Sequence, residues 1–182
     1  MISPIESPVV DVASWSVTVC FRKRPVQSRW VDFEWETASV EAVTGAEHAE
    51  LATVATQVLS GAETRWCYAA QPIELHPSEG EGYWLNLNSP APCIFVMWRL
   101  EEGDEVPRPA VVTLSYNEAG RMLDAGDHVD NVPMPAAMRE ALEAYTAVHY
   151  KPEPRKKVRR NDPFRDGAFH RESPSGNGGQ HD

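Results

Sequence analysis

The sequence predicts an α+β fold: an antiparallel sheet of about five to seven strands with two to three helices, the last packed on the sheet, followed by a disordered C-terminal tail. Three observations carry this reading. Apolar residues alternate with polar ones at period two from Trp15 to Phe21. They recur at helical spacing, with recognisable caps, after Ser115 and again after Pro135. The composition then changes abruptly after Tyr150. The expected organisation is one domain over residues 1–150 and a basic tail over 151–182.

In order along the chain, Trp15, Val17, Val19 and Phe21 set against Ser16, Thr18, Cys20 and Arg22 give a half-buried strand, ended by Arg22-Lys23-Arg24-Pro25. A second extended region runs from Trp30 to Val43. There Phe33 and Trp35 alternate with Asp32, Glu34 and Glu36, so the acidic face is wet. Leu51, Ala55, Val58 and Leu59 fall at helical spacing within residues 44–61, which predicts a short helix stopped by Gly61. Arg65 to Ala70 and Ile73 to His76 read as two strands. Pro77 to Gly82 is turn chemistry, and Tyr83 to Asn88 then reads as a strand, closing a hairpin with a glycine-rich connection.

After the break at Ser89-Pro90-Ala91-Pro92, the longest apolar run, Cys93 to Trp98, opens a buried strand that continues to Leu100. Glu101 to Glu105 is an acidic loop, and Ala110 to Leu114 is another strand. Ser115 to Glu118 fits the S-x-x-E capping box of a helix reaching Ala125, with Gly126 as its C′ residue. Val129 and Val132 lie in an extended link. Pro135 suits position N1 of the last helix, in which Met138, Leu142, Tyr145 and His149 share a face.

Composition narrows the function classes. The 182 residues carry a net charge of −10. Residues 1–150 hold 9 Lys and Arg against 22 Asp and Glu, whereas residues 151–182 hold 8 against 5. An acidic body does not suit a nucleic-acid backbone binder. Its basic tail suggests self-shielding or a partner with an acidic patch. No apolar run reaches the roughly 20 residues that span a bilayer, and Met1 to Pro8 has no secretory pattern, so a cytoplasmic location is expected. Cys20, Cys67 and Cys93 are odd in number and far apart. The expectation is three small hydrophobes in a reducing compartment, with no disulfide framework or zinc ribbon.

Several clusters carry side chains capable of chemistry. Gly80-Glu81-Gly82 begins like a dinucleotide fingerprint, but Leu85 stands where the third glycine belongs, so it reads as a turn. Asp124, Asp127, His128 and Asp130 do not match the calcium loop and read as a polar turn after a helix. His76, Glu79 and Glu81 could move a proton, yet the sequence supplies no nucleophile, oxyanion donor or cofactor cradle beside them. No catalytic residue, metal site or cofactor is therefore expected. Arg155, Lys156, Lys157, Arg159 and Arg160 form a basic run, read as a solvated segment or a weak electrostatic dock.

Leu75-His76, Glu81-Gly82-Tyr83 and Asn86-Leu87 together form an L-H-x-x-x-x-E-x-Y-x-x-N-L pattern. Pro133-Met134-Pro135 forms a second signature. Val112-Thr113, Glu118-Ala119 and Leu123-Asp124-x-Gly126 lie between them, and His149 is followed by the basic segment. These features resemble an uncharacterised bacterial family, domain of unknown function 3305, over roughly Val17 to Arg160. Where such proteins usually carry Tyr-Arg, this chain has Tyr83-Trp84. The resemblance implies genes typically placed near those of molybdenum-dependent formate dehydrogenases. It also implies a non-enzymatic accessory role in the maturation or regulation of such an enzyme, with a dehydrogenase subunit or maturation factor as partner. The expected contact residues are His76, Glu81, Tyr83, Asn86, Pro133, Met134 and Pro135. Tyr83 would be the hot spot on the hairpin, while Asn86 could equally bond the turn backbone. The alternatives are a small enzyme using His76 and Glu81, and a nucleic-acid-binding regulator acting through the tail.

Overall fold

The computed structural model describes residues 14–43 and 50–153. The chain divides into a unit spanning Met1–Pro152 and a second spanning Glu153–Asp182. The fold below is that of the first. The expected tail, including Arg155 to Arg160, lies outside the described residues apart from its first three positions.

The elements run β1 (Ser14–Pro25), β2 (Phe33–Ala42), β3 (Thr56–Ser60), β4 (Glu63–Glu74), a 3₁₀ turn (Pro77–Glu79), α1 (Gly80–Leu87), β5 (Cys93–Arg99), β6 (Arg108–Thr113), α2 (Tyr116–Asp124), β7 (His128–Pro133) and α3 (Ala136–His149). The architecture is α+β, with antiparallel strands in two sheets, β2-β1-β4-β3 and β6-β5-β7. The two sheets adjoin, with β4 beside β6 and the edge strand β2 beside the edge strand β7.

The core follows from alternation. Val17, Val19 and Phe21 of β1 point inward against Ile94, Val96 and Trp98 of β5, and Met138, Leu142 and Tyr145 of α3 pack on the same cluster. Leu142 has no exposed surface. The face read from the spacing of α3 is thus its packed face, except at His149, which is exposed. Pro135 is the N-cap of α3, not its N1 residue.

Two bulges shape the four-stranded sheet. The β1–β4 register slips between Val17 and Val19, where Ala70 takes a positive φ of 57°. That kink breaks the period-two signal, so one strand reads as two in the sequence. The β1–β2 register slips between Cys20 and Phe21, whose partners are Ser39 and Thr37, leaving Ala38 unpaired.

Three expectations are corrected. The helix within residues 44–61 is absent over its C-terminal part, where Thr56–Ser60 is a strand paired with β4; residues 44–49 lie outside the described residues. Gly61, at φ 66°, turns a β-hairpin and does not stop a helix. The second correction concerns Tyr83 to Asn88, which is largely helical. The packed stripe of α1 is Gly80, Gly82, Tyr83 and Asn86, and three of these four carry no apolar side chain. A hydrophobicity pattern cannot register such a stripe, so the chance alternation of Tyr83, Leu85 and Leu87 dominates the sequence reading.

Third, Cys20 and Cys67 face each other across β1 and β4, with Cα atoms 4.0 Å apart, and form a disulfide; Cys93 is free. Their separation of 47 residues conceals a cross-strand neighbour pair. Among the described residues no helix is long and apolar enough to cross a membrane.

Candidate functional site

The two signature segments meet at the start of β5. Asn86 is fully buried; its side-chain amide donates to the Cys93 carbonyl at 2.7 Å and to the Leu114 carbonyl at 2.8 Å. Its Oδ1 accepts the Cys93 backbone N–H at 3.1 Å. Pro133 pairs with Cys93 across β7 and β5, and the Met134 N–H donates to the Pro92 carbonyl at 3.1 Å. Met134 packs partly buried against the core, and Pro135 opens α3. Asn86 therefore brackets the ends of β5 and β6 to α1, and every one of its amide hydrogens has a carbonyl.

Tyr83 is also interior, with 1% of its surface exposed. Its ring meets Tyr145 edge to face at 6.0 Å, and its hydroxyl accepts the His76 backbone N–H at 3.0 Å. Burial pushes the phenol up to about 12, against the lowering effect of that hydrogen bond. Tyr83 and Asn86 thus present no side chain to a partner. The hairpin contact surface expected from the sequence is corrected to an interior bracket, because the segment is a helix whose packed face holds both residues.

Gly82 is required by proximity. A Cβ there would stand 2.1 Å from Ser115 Oγ and 3.2 Å from the Asn117 backbone nitrogen. Ser115 caps α2 by accepting the Glu118 N–H at 3.1 Å, as its position in the S-x-x-E box predicts. The return bond of a full capping box is replaced, since the Ser115 N–H donates to Thr113 Oγ1 at 3.0 Å. Ser115 Oγ donates to Glu79 at 2.6 Å, and Arg121 donates to the other Glu79 oxygen at 2.7 Å. Desolvation raises the Glu79 carboxyl, but the Ser115 and Arg121 bonds outweigh it and hold the group below its ordinary value.

His76 and Glu81 remain outside. Glu81 is exposed and reaches Asn117 Nδ2 at 3.4 Å. The carboxylate near His76 is Glu74, at 3.7 Å, with both side chains more than half exposed. A surface pair of this kind contributes little. His76 and Glu74 line a polar cleft of about 250 Å³ between the end of β4 and β6, with Gln71, Thr113 and Glu118. The Gln71 amide is committed to the Ala52 and Ala69 carbonyls, each at 3.0 Å. The proton-transfer pair drawn from the sequence, His76 with Glu81, is not an ion pair in the fold. Burial pushes the Cys93 thiol up, which disfavours the thiolate.

The acidic and histidine residues after α2 are dispersed. His128 stacks on Trp98 at 4.7 Å, Asp127 pairs with Arg99 at 3.4 Å, and Asp130 binds Trp98 Nε1 at 2.9 Å. Among the described residues no group of three or more His, Cys, Asp or Glu could hold a metal ion.

A second surface was not singled out by the sequence. Past Phe21, β2, β1, β4 and β3 continue as a four-stranded ribbon with two unlike faces. On one, Arg22 bonds Glu36 at 2.6 Å and Glu63 at 3.1 Å, Arg65 bonds Glu63 at 2.8 Å, and Arg24 bonds Glu34 at 3.0 Å. On the other, Trp35 meets Trp66 at 5.0 Å and Phe33 at 6.0 Å. Lys23 Nζ lies 4.3 Å from the Phe33 ring centroid, 5.1 Å from Trp35 and 5.6 Å from Trp66. Trp30, in the β1–β2 connection, is 90% exposed. Trp66 also borders an open hollow of about 520 Å³ lined by Tyr68, Asp104 and Arg108. The alternation of Phe33 and Trp35 with acids was the available signal, but the pairing with Trp66 and Lys23 is tertiary.

No curated protein and no solved structure matches the chain. A family model described as "Protein of unknown function (DUF3305)" matches residues 16–159, a span that contains both signature segments, the α1 bracket and the aromatic ribbon. The chain therefore belongs to the DUF3305 family.

Proposed function

We propose that this chain is a non-enzymatic, protein-binding accessory factor, and that its partner is a subunit or maturation factor of a molybdenum-dependent formate dehydrogenase. The binding part of this reading rests on the aromatic ribbon. Phe33, Trp35 and Trp66 gather around Lys23 on a face that continues outward from the core, against which Trp35 packs, and Trp30 stands in water beside the strand entry. Rigid aromatics flanking a cation suit a contact centre, because they supply area at low entropic cost and Lys23 can meet an acidic partner group. The dehydrogenase part rests on the family resemblance and the gene neighbourhood it implies.

The test is a pair of variants, Trp30→Ala and Phe33→Ala, in the full chain. Both side chains are exposed, so the thermal unfolding curve should stay within a few degrees of wild type. Capture of the dehydrogenase subunit or maturation factor should fall at least tenfold, and formate dehydrogenase activity in a deletion strain should fall with it. Full enzyme activity with the double variant, or wild-type activity in the deletion strain itself, overturns the reading.

A further inference from the structure

We infer that β3 is the pairing edge of a homodimer, in which two copies of this chain join antiparallel through Thr56–Ser60 about a two-fold axis at Val58. The union would merge the two four-stranded sheets into one. This goes beyond the partner-binding reading, which uses other residues.

Among the described residues β3 ends its sheet and pairs with β4 alone. All five of its residues are exposed, with Val58 at 44% and Leu59 at 77%. Edge strands are ordinarily blunted by charge, proline or a bulge. Thr-Gln-Val-Leu-Ser has no charge and no proline, and its register with β4 is unbroken from Thr56 to Ser60.

Hydrogen-bond parity fits the same pairing. The two-residue turn at Gly61 and Ala62 makes Ser60 and Glu63 the hydrogen-bonded closing pair. Alternation then commits Thr56, Val58 and Ser60 to β4 and directs the N–H and C=O of Gln57 and Leu59 outward. With Val58 on the axis, Gln57 faces Leu59 of the second copy and Leu59 faces its Gln57. Each of these positions carries outward groups, so the self-pairing forms two complete narrow pairs. A one-residue slip would set outward groups against inward ones.

The body is acidic, so a self-interface must avoid like charges. Along the neighbouring strand, Glu63 and Arg65 are paired with each other, and Glu63 also with Arg22. The strip next to β3 thus carries balanced pairs, and an uncharged strand meets itself without penalty. Between two copies of an acidic chain this uncharged strip is where like charges do not meet, and a second copy is the assigned occupant.

The experiment is a mass measurement on the full chain by light scattering across a dilution series. Wild type should show twice the monomer mass at high concentration. Val58→Lys and Val58→Glu should each be monomeric, because like charges would oppose each other at the axis, and an equimolar mixture of the two should recover the doubled mass. Leu59→Pro removes one outward N–H at a position where an edge tolerates proline, and should also be monomeric, with its far-UV circular dichroism retained. A wild-type chain that stays monomeric to its solubility limit overturns the inference. So does a dimer indifferent to Val58→Lys and Leu59→Pro, or a mixture of the charge variants that fails to re-associate.

Discussion

One carboxylate oxygen of Asp130, on β7, accepts both the backbone N–H of Thr37, at 2.7 Å, and its hydroxyl, at 2.8 Å. Thr37 lies next to the bulge at Ala38, on the edge strand β2. The same oxygen takes the Trp98 indole N–H, so one acid ties the edge of the larger sheet to the smaller one. Asp130→Ala would leave three donors in need of partners. The expected loss is about 2–4 kcal/mol in denaturant unfolding, from the cost of stranded polar groups. Asp130→Asn keeps an acceptor and should lose less. Equal and negligible losses for both variants would show that the sheets do not depend on this link.

Tyr83 should behave as a core residue with a pH signature. Tyr83→Ala should cost about 3–5 kcal/mol, the range for large aromatic truncations, and Tyr83→Phe about 1 kcal/mol for one hydrogen bond. The folded phenol is pushed above its ordinary 10.0 to about 12, so the neutral form is favoured by folding. The stabilisation is complete below pH 10 and is lost as pH rises toward about 12, because the unfolded chain ionises first. The advantage of wild type over Tyr83→Phe should shrink through that window and reverse toward its alkaline end, because only wild type carries the phenol. Parallel curves would contradict the assignment.

Glu79 gives the opposite dependence. Its folded carboxyl lies below the ordinary value of 4.5, so the Ser115 and Arg121 bonds stabilise the protein above that pH and the effect fades as pH falls through the folded value. Glu79→Gln should flatten the acid limb of the stability curve. An unchanged acid limb would mean that the bonds contribute nothing net.

Gly82 and Ser115 should be strongly coupled. Gly82→Ala places a methyl against Ser115 Oγ and should cost about 1–3 kcal/mol by overpacking. In a Ser115→Gly background that increment should shrink, and a double-mutant cycle from thermal or urea unfolding reads the coupling. Additive effects would show that α1 and α2 are not held at this distance by the missing side chain.

Thiol counting tests the cross-strand pair. Denatured, unreduced protein should alkylate at Cys93 alone, and at all three cysteines after reduction. Closing a 47-residue separation is worth about 4 kcal/mol on the chain-entropy model. Cys20→Ser with Cys67→Ser should lower the melting temperature correspondingly. Three free thiols without reductant would remove the bridge.

The sequence by itself determined the α+β class, the inward face of β1, the buried β5 strand, the capped α2 helix with Gly126 beyond it, and the packed face of α3. Each of these is encoded in side chains whose polarity or cap chemistry acts locally, within one turn or one strand. Tertiary structure alone decided what Val58, Tyr83, Cys20 and Lys23 do. Val58 sits in a helical spacing that pairing with Arg65 of β4 overrides. Tyr83 belongs to a helix whose packed stripe is glycine and asparagine, so the controlling forces are close approach to Ser115 and hydrogen bonds to Cys93 and Leu114, which leave no hydrophobic period. Cys20 meets Cys67, and Lys23 meets Trp66, only through the β1–β4 register. Contacts made between strands distant in the chain have no local imprint, because the sheet brings their residues together only after its strands have paired.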